Sequence, residues 1–532
     1  MNSVTCRRQQ VLILTSCFMV LCLTGYFVPY VHDDWAWGGS LGLERLANFF
    51  QDYNGRYLGN LLVIAGTHSR LFKALLTGLT GTVIIAAVGL PGHSQPFHLL
   101  LSAFLLFSMP RQLLRQSFAW LSALTNYVVP LCLFLPYLAV CRELFFPTKA
   151  QTQMQTRTQA LTALLWAPVG FASCLCIEHA TVAFTAAALF LFAAERRVLR
   201  TRRSCAVTGG YLGGALAGAV VMFLNPAYRV QLTTQKGYGH VEQSGGLLRS
   251  ALESYVRYFS GYLFLNNLML NLVLLLGMLL LIRQCRHASA GILRRLALLF
   301  CLTLMAGSAA LSGFICLRRI FFDISYPSDV ANALITTAFL AAVCLFDAAA
   351  PIDRGLRIRL LFLTGVTAVM IGPLLILRPI ACRCFVPAYF LMCAYALEIF
   401  REISPEMRCR PHTATVCTTT AATAAGAAAA LWLWIYGGLY VADRDRLESI
   451  RAQIAEGAVT VTVPYFYNDV YLWRANPVKT EKINWERRYK KFYGLPENIT
   501  IVLTDEERAH DSLFLLTEPR TPQDKDFPPP HR

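Results

Sequence analysis

Two adjacent carboxylates, Asp33 and Asp34, stand in the stretch YVHDDWAWGG (30–39), just after about 20 mostly apolar residues. Adjacent like charges repel, so a pair held beside Trp35 and Trp37 is explained by a bound cation, an arginine partner or a general-base role. The alternative is a helix cap followed by a hydrated loop. Because carboxylate oxygens suit Mg²⁺ or Mn²⁺, the sequence also leaves a divalent metal ion open.

Other polar residues at the ends of apolar runs are predicted to lie near this pair. They come from the turn DYNGRY (52–57), from FAWLSALTNY (118–127) and from CIEHAT (176–181), which joins two apolar runs tightly. A charge at such a boundary is unfavourable unless it is paired or functional. The candidate binding residues are Asn54, Arg56, Trp120, Asn126, Tyr127, Glu178 and His179.

Arginines are also predicted on this side of the membrane, against the usual bias. They are Arg229, Arg318, Arg319, Arg378 and Arg383. The guanidinium fork matches the oxygens of a phosphate, so these side chains are candidates for binding a phosphorylated, lipid-borne substrate. The alternative is that they extend to lipid headgroups without a specific ligand.

The composition indicates a membrane protein with many spans. Of 532 residues, 55% are hydrophobic and 15% are charged, whereas soluble proteins carry about 25% charged residues. The net charge of +17 is explained by basic cytoplasmic loops, and we expect no nucleic-acid partner.

Hydrophobic runs predict about 13 transmembrane helices. The runs are 10–30, 71–90, 97–110, 120–140, 160–177, 180–195, 206–224, 259–282, 297–316, 330–348, 358–377, 384–400 and 416–440. The first apolar run follows Arg7 and Arg8, an arrangement that resembles a signal peptide. It lacks a small-residue cleavage site, so we interpret it as a retained helix. Alternate loops are basic, including ERRVLRTRR (195–203), which places the N-terminus inside and the C-terminus outside.

The sequence divides into a membrane module, 1–441, and a polar tail, 442–532. The first outer loop, 31–70, contains a short amphipathic helix predicted to lie on the membrane surface. The tail combines a strand-like alternation at 458–467 with an amphipathic helix at 484–494. We therefore expect an all-α polytopic protein with a small α+β extracytoplasmic C-terminal domain.

A carboxylate pair in the first outer loop, ahead of an interfacial helix, resembles the GT-C superfamily of integral-membrane glycosyltransferases. The motifs DDWAW, NGRYLGNLL, FAWLSALTNY, NPAYR and NW…YGL look like those of a bacterial family of polytopic membrane proteins of unassigned function, sometimes grouped with surface-polysaccharide glucosyltransferases. The resemblance covers nearly the whole chain, although each motif is short. Glu178-His179 departs from it, because relatives more often show Asn-Glu there.

The resemblance implies a GT-C-like fold in the bacterial cytoplasmic membrane. It also implies transfer of a sugar from a polyprenyl-phosphate-linked donor to an envelope glycan or lipid acceptor on the outer side. Asp33 or Asp34 would be the general base, and the arginines would stabilise the leaving phosphate. Two other functions remain open: a transporter or flippase of lipid-linked glycans, and a non-catalytic envelope assembly protein.

Overall fold

The architecture is taken from a computed structural model of the chain. The structure describes residues 3–92, 95–146, 159–198, 201–229, 240–241, 246–284, 291–321, 329–378, 380–409, 411–464, 466, 470–477 and 484–504. Helices dominate this part of the chain, which agrees with its apolar composition.

The helices follow one another with short connections. They are α1 (Ser3–Phe27), α2 (Asp33–Trp37), α3 (Ser40–Ala47), α4 (Tyr57–His68), α5 (Arg70–Gly89), α6 (Pro96–Phe107), α7 (Arg111–Arg115), α8 (Leu121–Ala123), α9 (Val129–Phe145), α10 (Gln159–Ser173), α11 (Glu178–Val198), α12 (Arg202–Phe223), α13 (Leu247–Ser254), α14 (Leu268–Gln284), α15 (Ile292–Phe321), α16 (Asp329–Ala349), α17 (Arg354–Ile371), α18 (Val386–Cys409), α19 (Pro411–Ala455) and α20 (Trp485–Tyr493). Leu124–Val128 and Tyr255–Leu265 are π-helical, and Gly372–Leu375 and Cys382–Phe385 are short 3₁₀ turns.

Nine helical segments of the described chain are long and apolar enough to cross a membrane, and they confirm an all-α multi-pass architecture. A tenth span arises if Leu247–Phe264 and Leu268–Gln284, bent by 71° at their junction, are counted together. The other predicted runs also form helices. However, α6 and the described part of α10 are short, and α11 carries charges near both ends. The total of 13 spans and the GT-C-like fold therefore stay predictions.

The helices pack through small residues as well as large apolar ones. α1 packs on α5, α19 on α6, and α10 on α12. A Cβ added at Gly214 of α12 would overlap the carbonyl oxygen of Ala167 on α10, so glycine lets these two backbones touch. Close approach at small residues is a common basis of helix association in membranes.

The loops lie in two groups, one at each end of the helices, and each group contains loops predicted on the same side of the membrane. At the predicted inner end, Glu398 of α18 accepts hydrogen bonds from Arg142, Arg359 and Arg401 at 2.6–2.7 Å. Three arginines at this end are therefore paired with this buried carboxylate. The first loop, the α10–α11 turn and the tail meet at the opposite end, which we call the loop end.

The tail contains the expected mixture of strand and helix. β3 (Thr460–Pro464) pairs in parallel with β4 (Thr500–Thr504), and α20 lies between them in sequence. The predicted helix at 484–494 is confirmed, ending at Gly494 in a left-handed conformation. The division at 441/442 falls inside α19, which continues from the membrane module into the tail without a break. A second short pair, β1 (His240–Val241) with β2 (Leu377–Arg378), is antiparallel.

Candidate active site

The first loop begins with a tight turn that orients both carboxylates. The Asp34 N–H donates to the Val31 carbonyl oxygen at 3.0 Å, which closes a four-residue turn. His32, the second residue of this turn, has φ 50° and ψ −117°. A type II′ turn has about 60° and −120° at this position and favours glycine. A histidine there is strained by roughly 1–3 kcal/mol, so its surroundings must hold it.

Asp34 is fully buried, and both of its carboxylate oxygens already accept hydrogen bonds. Oδ1 accepts from the N–H and the hydroxyl of Ser122 at 3.0 and 2.7 Å, and Oδ2 accepts from the Val31 N–H at 3.2 Å. Burial raises the pKa of Asp34 to about 6, although these hydrogen bonds and the charge of Lys73 lower it. Asp34 thus ties the first loop to α8.

Asp33 has different surroundings, because its side chain is 30% exposed and faces a histidine and an arginine. Its Oδ2 lies 3.4 Å from His32 Nδ1, and its Oδ1 lies 3.9 Å from a terminal nitrogen of Arg488 on α20. Burial acts to raise the pKa of Asp33, but His32, Arg488 and Arg383 outweigh it and lower the pKa to about 2. Asp33 is therefore ionised at neutral pH, and it is the carboxylate of the pair that faces outward.

His32 is buried among three tryptophans from distant parts of the chain. Its ring lies 3.9 Å, centroid to centroid, from that of Trp485, tilted by 31°. The rings of Trp120 and Trp473 meet it edge-on at 5.5 and 6.5 Å. Burial lowers the pKa of His32, and the attraction of Asp33 only partly offsets this. The imidazole is accordingly neutral at neutral pH.

Arginines surround the same tryptophans. Trp120 and Trp473 are stacked, with centroids 6.1 Å apart. The guanidinium carbon of Arg115 lies 5.4 Å, and that of Arg474 5.1 Å, from the centroid of Trp473. We call this group the aromatic–arginine cluster; it consists of Trp120, Trp473, Trp485, Arg115, Arg383 and Arg474.

Arg383 is the predicted arginine that the structure brings to this cluster. Its guanidinium carbon lies 5.2 Å from the Trp120 ring centroid. Its Nε donates to the Tyr127 hydroxyl at 3.1 Å, and a terminal nitrogen donates to Gln116 Oε1 at 3.3 Å. These two contacts orient the guanidinium, and the planar fork of a guanidinium is shaped to bind an anion.

A second polar group, beside the first, joins the first loop to the α10–α11 turn. Arg56 binds Glu178 through two nitrogens, at 2.8–3.1 Å, and the Tyr228 hydroxyl donates to Glu178 at 2.5 Å. Asn54 Oδ1 accepts from the Arg56 N–H and from Asn60, which fixes the turn before α4. The two charges predicted to bind substrate are thus bound to one another.

The remaining predicted residues have varied positions. Asn126 donates to the Ser122 carbonyl oxygen in a π-helical turn, and the His179 ring lies 6.1 Å from that of Tyr127. Arg229 is exposed, one residue after Tyr228. Arg318 and Arg319 lie in the last turns of α15 and Arg378 in β2, but their side chains are outside the described residues.

Sequence reasoning missed the part of the site that the tail supplies. Four tail residues come more than 430 positions after His32 and yet contact residues of the first loop or their neighbours; they are Trp473, Arg474, Trp485 and Arg488. The amphipathic pattern of α20 was a signal for a buried face, but not for which partner covers it. His32 belongs to the same motif as Asp33 and Asp34, but the sequence alone predicts no role for it.

The described residues do not fit a divalent metal ion at the carboxylate pair. No three Asp, Glu, His or Cys side chains in the described part of the chain come together as a metal site. Asp34 already accepts three hydrogen bonds, and Asp33 faces His32 and Arg488.

Comparison of the chain with protein-family models, curated proteins and solved structures finds no match. An ionised carboxylate, a neutral imidazole, aromatic faces and several arginines meet at one end of the bundle. Such a set can accept a proton and stabilise an anionic leaving group.

Proposed function

We propose that this protein is a membrane glycosyltransferase that moves a sugar from a polyprenyl-phosphate-linked donor to an envelope glycan or lipid acceptor. The observation that carries the proposal is the ionised Asp33 beside the aromatic–arginine cluster, at the loop end of a bundle of membrane-length helices. The resemblance to GT-C glycosyltransferases, which rests on the carboxylate pair in the first outer loop ahead of an interfacial helix, points to the same reaction class.

Each component of the site has a role in such a transfer. The acceptor hydroxyl loses its proton near Asp33 as its oxygen attacks the anomeric carbon, and the bond from that carbon to the phosphate oxygen breaks. Arg383, held by Tyr127 and Gln116, stabilises the charge that develops on the leaving lipid phosphate. The loop end of the bundle would face the outer leaflet, where donor and acceptor meet.

The direct test is a comparison of envelope glycans by mass spectrometry. A strain lacking the gene is compared with the same strain carrying it on a plasmid. We expect one sugar residue or one modification to be absent from a defined glycan in the deleted strain and to return on complementation. Identical glycans in both strains under conditions in which the protein is present in the membrane would contradict the proposal.

A flippase of lipid-linked glycans is the second candidate, and the bent helix pair favours it. Broken helices are frequent in transporters, and the 71° bend between Leu247–Phe264 and Leu268–Gln284 is such a feature. The two functions predict different intermediates. A strain lacking a flippase accumulates the complete lipid-linked glycan on the inner leaflet, whereas a strain lacking the transferase keeps unused donor and an incomplete acceptor.

A further inference from the structure

The two ring nitrogens of His32 are the unexplained atoms of the candidate site. The residue is 7% exposed, and neither nitrogen makes a hydrogen bond within the described part of the chain. Nδ1 lies 3.4 Å from Asp33 Oδ2. This distance is slightly too long for a good hydrogen bond, but the Asp33 carboxylate lies beside this nitrogen. Buried polar atoms without partners are rare and need an explanation.

The backbone makes the position of this ring more unusual. His32 occupies the turn position that favours glycine. A histidine at this position therefore lowers the stability of the folded protein. The ring is nevertheless held firmly, because it lies against Trp485 and meets Trp120 and Trp473 edge-on. A strained residue whose ring is fixed beside Asp33, with Nε2 lacking a hydrogen-bond partner in the described part of the chain, points to a chemical role.

We propose that His32 is the proton acceptor of the transfer and that Asp33 is its positioning carboxylate. This inference rests on the proposed glycosyltransferase function and deepens it, because it moves the base from the carboxylate to the imidazole. The arrangement follows the general rule that a base is oriented by a third group that also stabilises its protonated form.

The proton and electron balance of the step is simple. Nδ1–H faces Asp33, so Nε2 holds the free lone pair and takes the proton of the acceptor hydroxyl. The acceptor oxygen forms a bond to the anomeric carbon, and the carbon–oxygen bond to the lipid phosphate breaks, with its electron pair leaving on the phosphate. The resulting imidazolium is stabilised by the ionised Asp33 and later releases its proton to water.

The pKa values of His32 and Asp33 favour the imidazole over the carboxylate as the proton acceptor. A base is most effective when its pKa lies near the working pH, and the pKa of Asp33 is lowered to about 2, which makes it a poor acceptor. The pKa of His32 is lowered from 6.5 by burial and by the charges of Arg474 and Arg383, while Asp33 raises it. His32 is therefore neutral at pH 7 and becomes protonated, and inactive as a base, as the pH falls.

Access to His32 involves the tail. Both ring nitrogens are buried, and two of the three tryptophans around them, Trp473 and Trp485, belong to the tail. An acceptor hydroxyl therefore reaches Nε2 only when at least one of these side chains moves aside. Arg488 on the same short helix faces Asp33, so the tail contacts both members of the pair.

The first part of the test measures glycan transfer in cells. His32→Gln removes the titrating nitrogen and should reduce formation of the gene-dependent glycan by roughly 10²–10⁴-fold, with normal amounts of protein in the membrane. His32→Gly, which suits the turn, should lose the product equally while the thermal midpoint stays within a few degrees of wild type or rises. The matched control is His68→Gln, at an exposed position at the end of α4, which should keep wild-type transfer.

The second part measures protonation of His32 without any substrate. Protonated imidazole quenches the fluorescence of an indole that it contacts, so acidification of the purified full-length protein should quench Trp485. The midpoint should lie below pH 6.5 and the signal should vanish in His32→Gln and in Trp485→Phe. In Asp33→Asn the midpoint should move to lower pH, because the carboxylate that stabilises the imidazolium is gone.

The outcomes separate the two proposals. Loss of transfer in Asp33→Asn with full transfer in His32→Gln would show that Asp33 acts alone; the glycosyltransferase proposal would stand and this inference would be wrong. An unchanged quenching midpoint in Asp33→Asn would also overturn the pairing. A gene deletion without any glycan change would contradict the proposed function itself and, with it, the catalytic role of His32.

Discussion

At the scale of single residues, Asp33 and Asp34 are adjacent in the chain but opposite in character. Asp34 is buried and accepts three hydrogen bonds, whereas Asp33 is partly exposed between a histidine and an arginine. The structure thus gives Asp34 a positioning role and leaves Asp33 facing the site.

Replacement of Asp34 by alanine should destabilise the protein. The change leaves the Ser122 hydroxyl and two backbone N–H groups buried without their acceptor, so we expect a loss of about 2–5 kcal/mol in the free energy of unfolding. Thermal unfolding in detergent measures this, with Asp52→Ala, at an exposed position of the same loop, as a control that should change it by less than about 0.5 kcal/mol.

The effect should also depend on pH. The folded-state pKa of Asp34, about 6, is above its ordinary value of 3.8, so the folded protein holds this proton more tightly than the unfolded chain. The contribution of Asp34 to stability is then largest below its ordinary pKa and is lost as the pH rises through about 6. A difference between wild type and Asp34→Ala that grows from pH 4 to pH 7 would contradict this assignment.

Arg383 should bind the phosphate of the donor. A charge-assisted contact to phosphate contributes roughly 1.5–3 kcal/mol, so Arg383→Ala should weaken donor binding by about ten- to a hundredfold without impairing membrane insertion. Arg249→Ala, at an exposed position of α13, is the control. Lysine should not replace Arg383, since it cannot contact Tyr127, Gln116 and a phosphate together. Full activity with lysine at Arg318, Arg319, Arg378 and Arg383 would end the phosphate hypothesis.

At the scale of elements, the site depends on how separate loops are attached to one another. Arg56, Glu178 and Tyr228 connect the loop before α4, the start of α11 and the segment after α12. Leu58 and Leu175 add a backbone hydrogen bond at 3.0 Å to the same junction. This junction lies beside the candidate site and holds the first loop in place.

A double-mutant cycle on Arg56→Ala and Glu178→Ala should reveal strong coupling. The side chains are only 21% and 26% exposed and form a bidentate pair, so we expect a coupling free energy of about 1–3 kcal/mol. The exposed pair Arg444–Glu448, one helical turn apart on α19, should give no more than about 0.5 kcal/mol. Equal coupling in the two pairs would contradict a structural role for the junction.

The sequence predicts the elements well and the contacts between them less well. All 13 apolar runs fall on helices, because hydrophobic length is a local property of the chain. The distinction between Asp33 and Asp34 is not local, since it depends on Ser122, 88 positions further along. The tail residues of the site were not predicted, because their position depends on α19 continuing beyond the apolar run and carrying the tail to the first loop.

For the molecule as a whole, the proposed function requires the loop end of the bundle to face the outside of the cell. Loops predicted on the same side contact one another in the structure, as Arg56–Glu178 and Arg383–Tyr127 illustrate. At the inner end, Arg142 and Arg359, which are predicted on the same side, likewise contact one residue, Glu398. Contacts between loops establish which segments share an end, and the charge bias assigns that end to a side.

Reporter fusions test this topology. A fusion after Arg200, between α11 and α12, should report the inside, and a fusion after Gly457, just beyond α19, should report the outside. Placing the second fusion beyond α19 avoids cutting a helix that extends to Ala455. If both fusions report the same side, the 13-span arrangement is wrong, and the helix at Pro96–Phe107 is the first span to reconsider.

The proposed role of Asp33 is tested most directly by comparing glycan transfer by Asp33→Asn and by Asp52→Asn in the deleted strain. Both changes remove one carboxylate from the same loop, but only Asp33 lies against His32 and Arg488. With equal amounts of protein in the membrane, we predict that Asp33→Asn lowers formation of the gene-dependent glycan by roughly 10²–10⁴-fold and that Asp52→Asn restores it fully. Full restoration by Asp33→Asn would contradict the account.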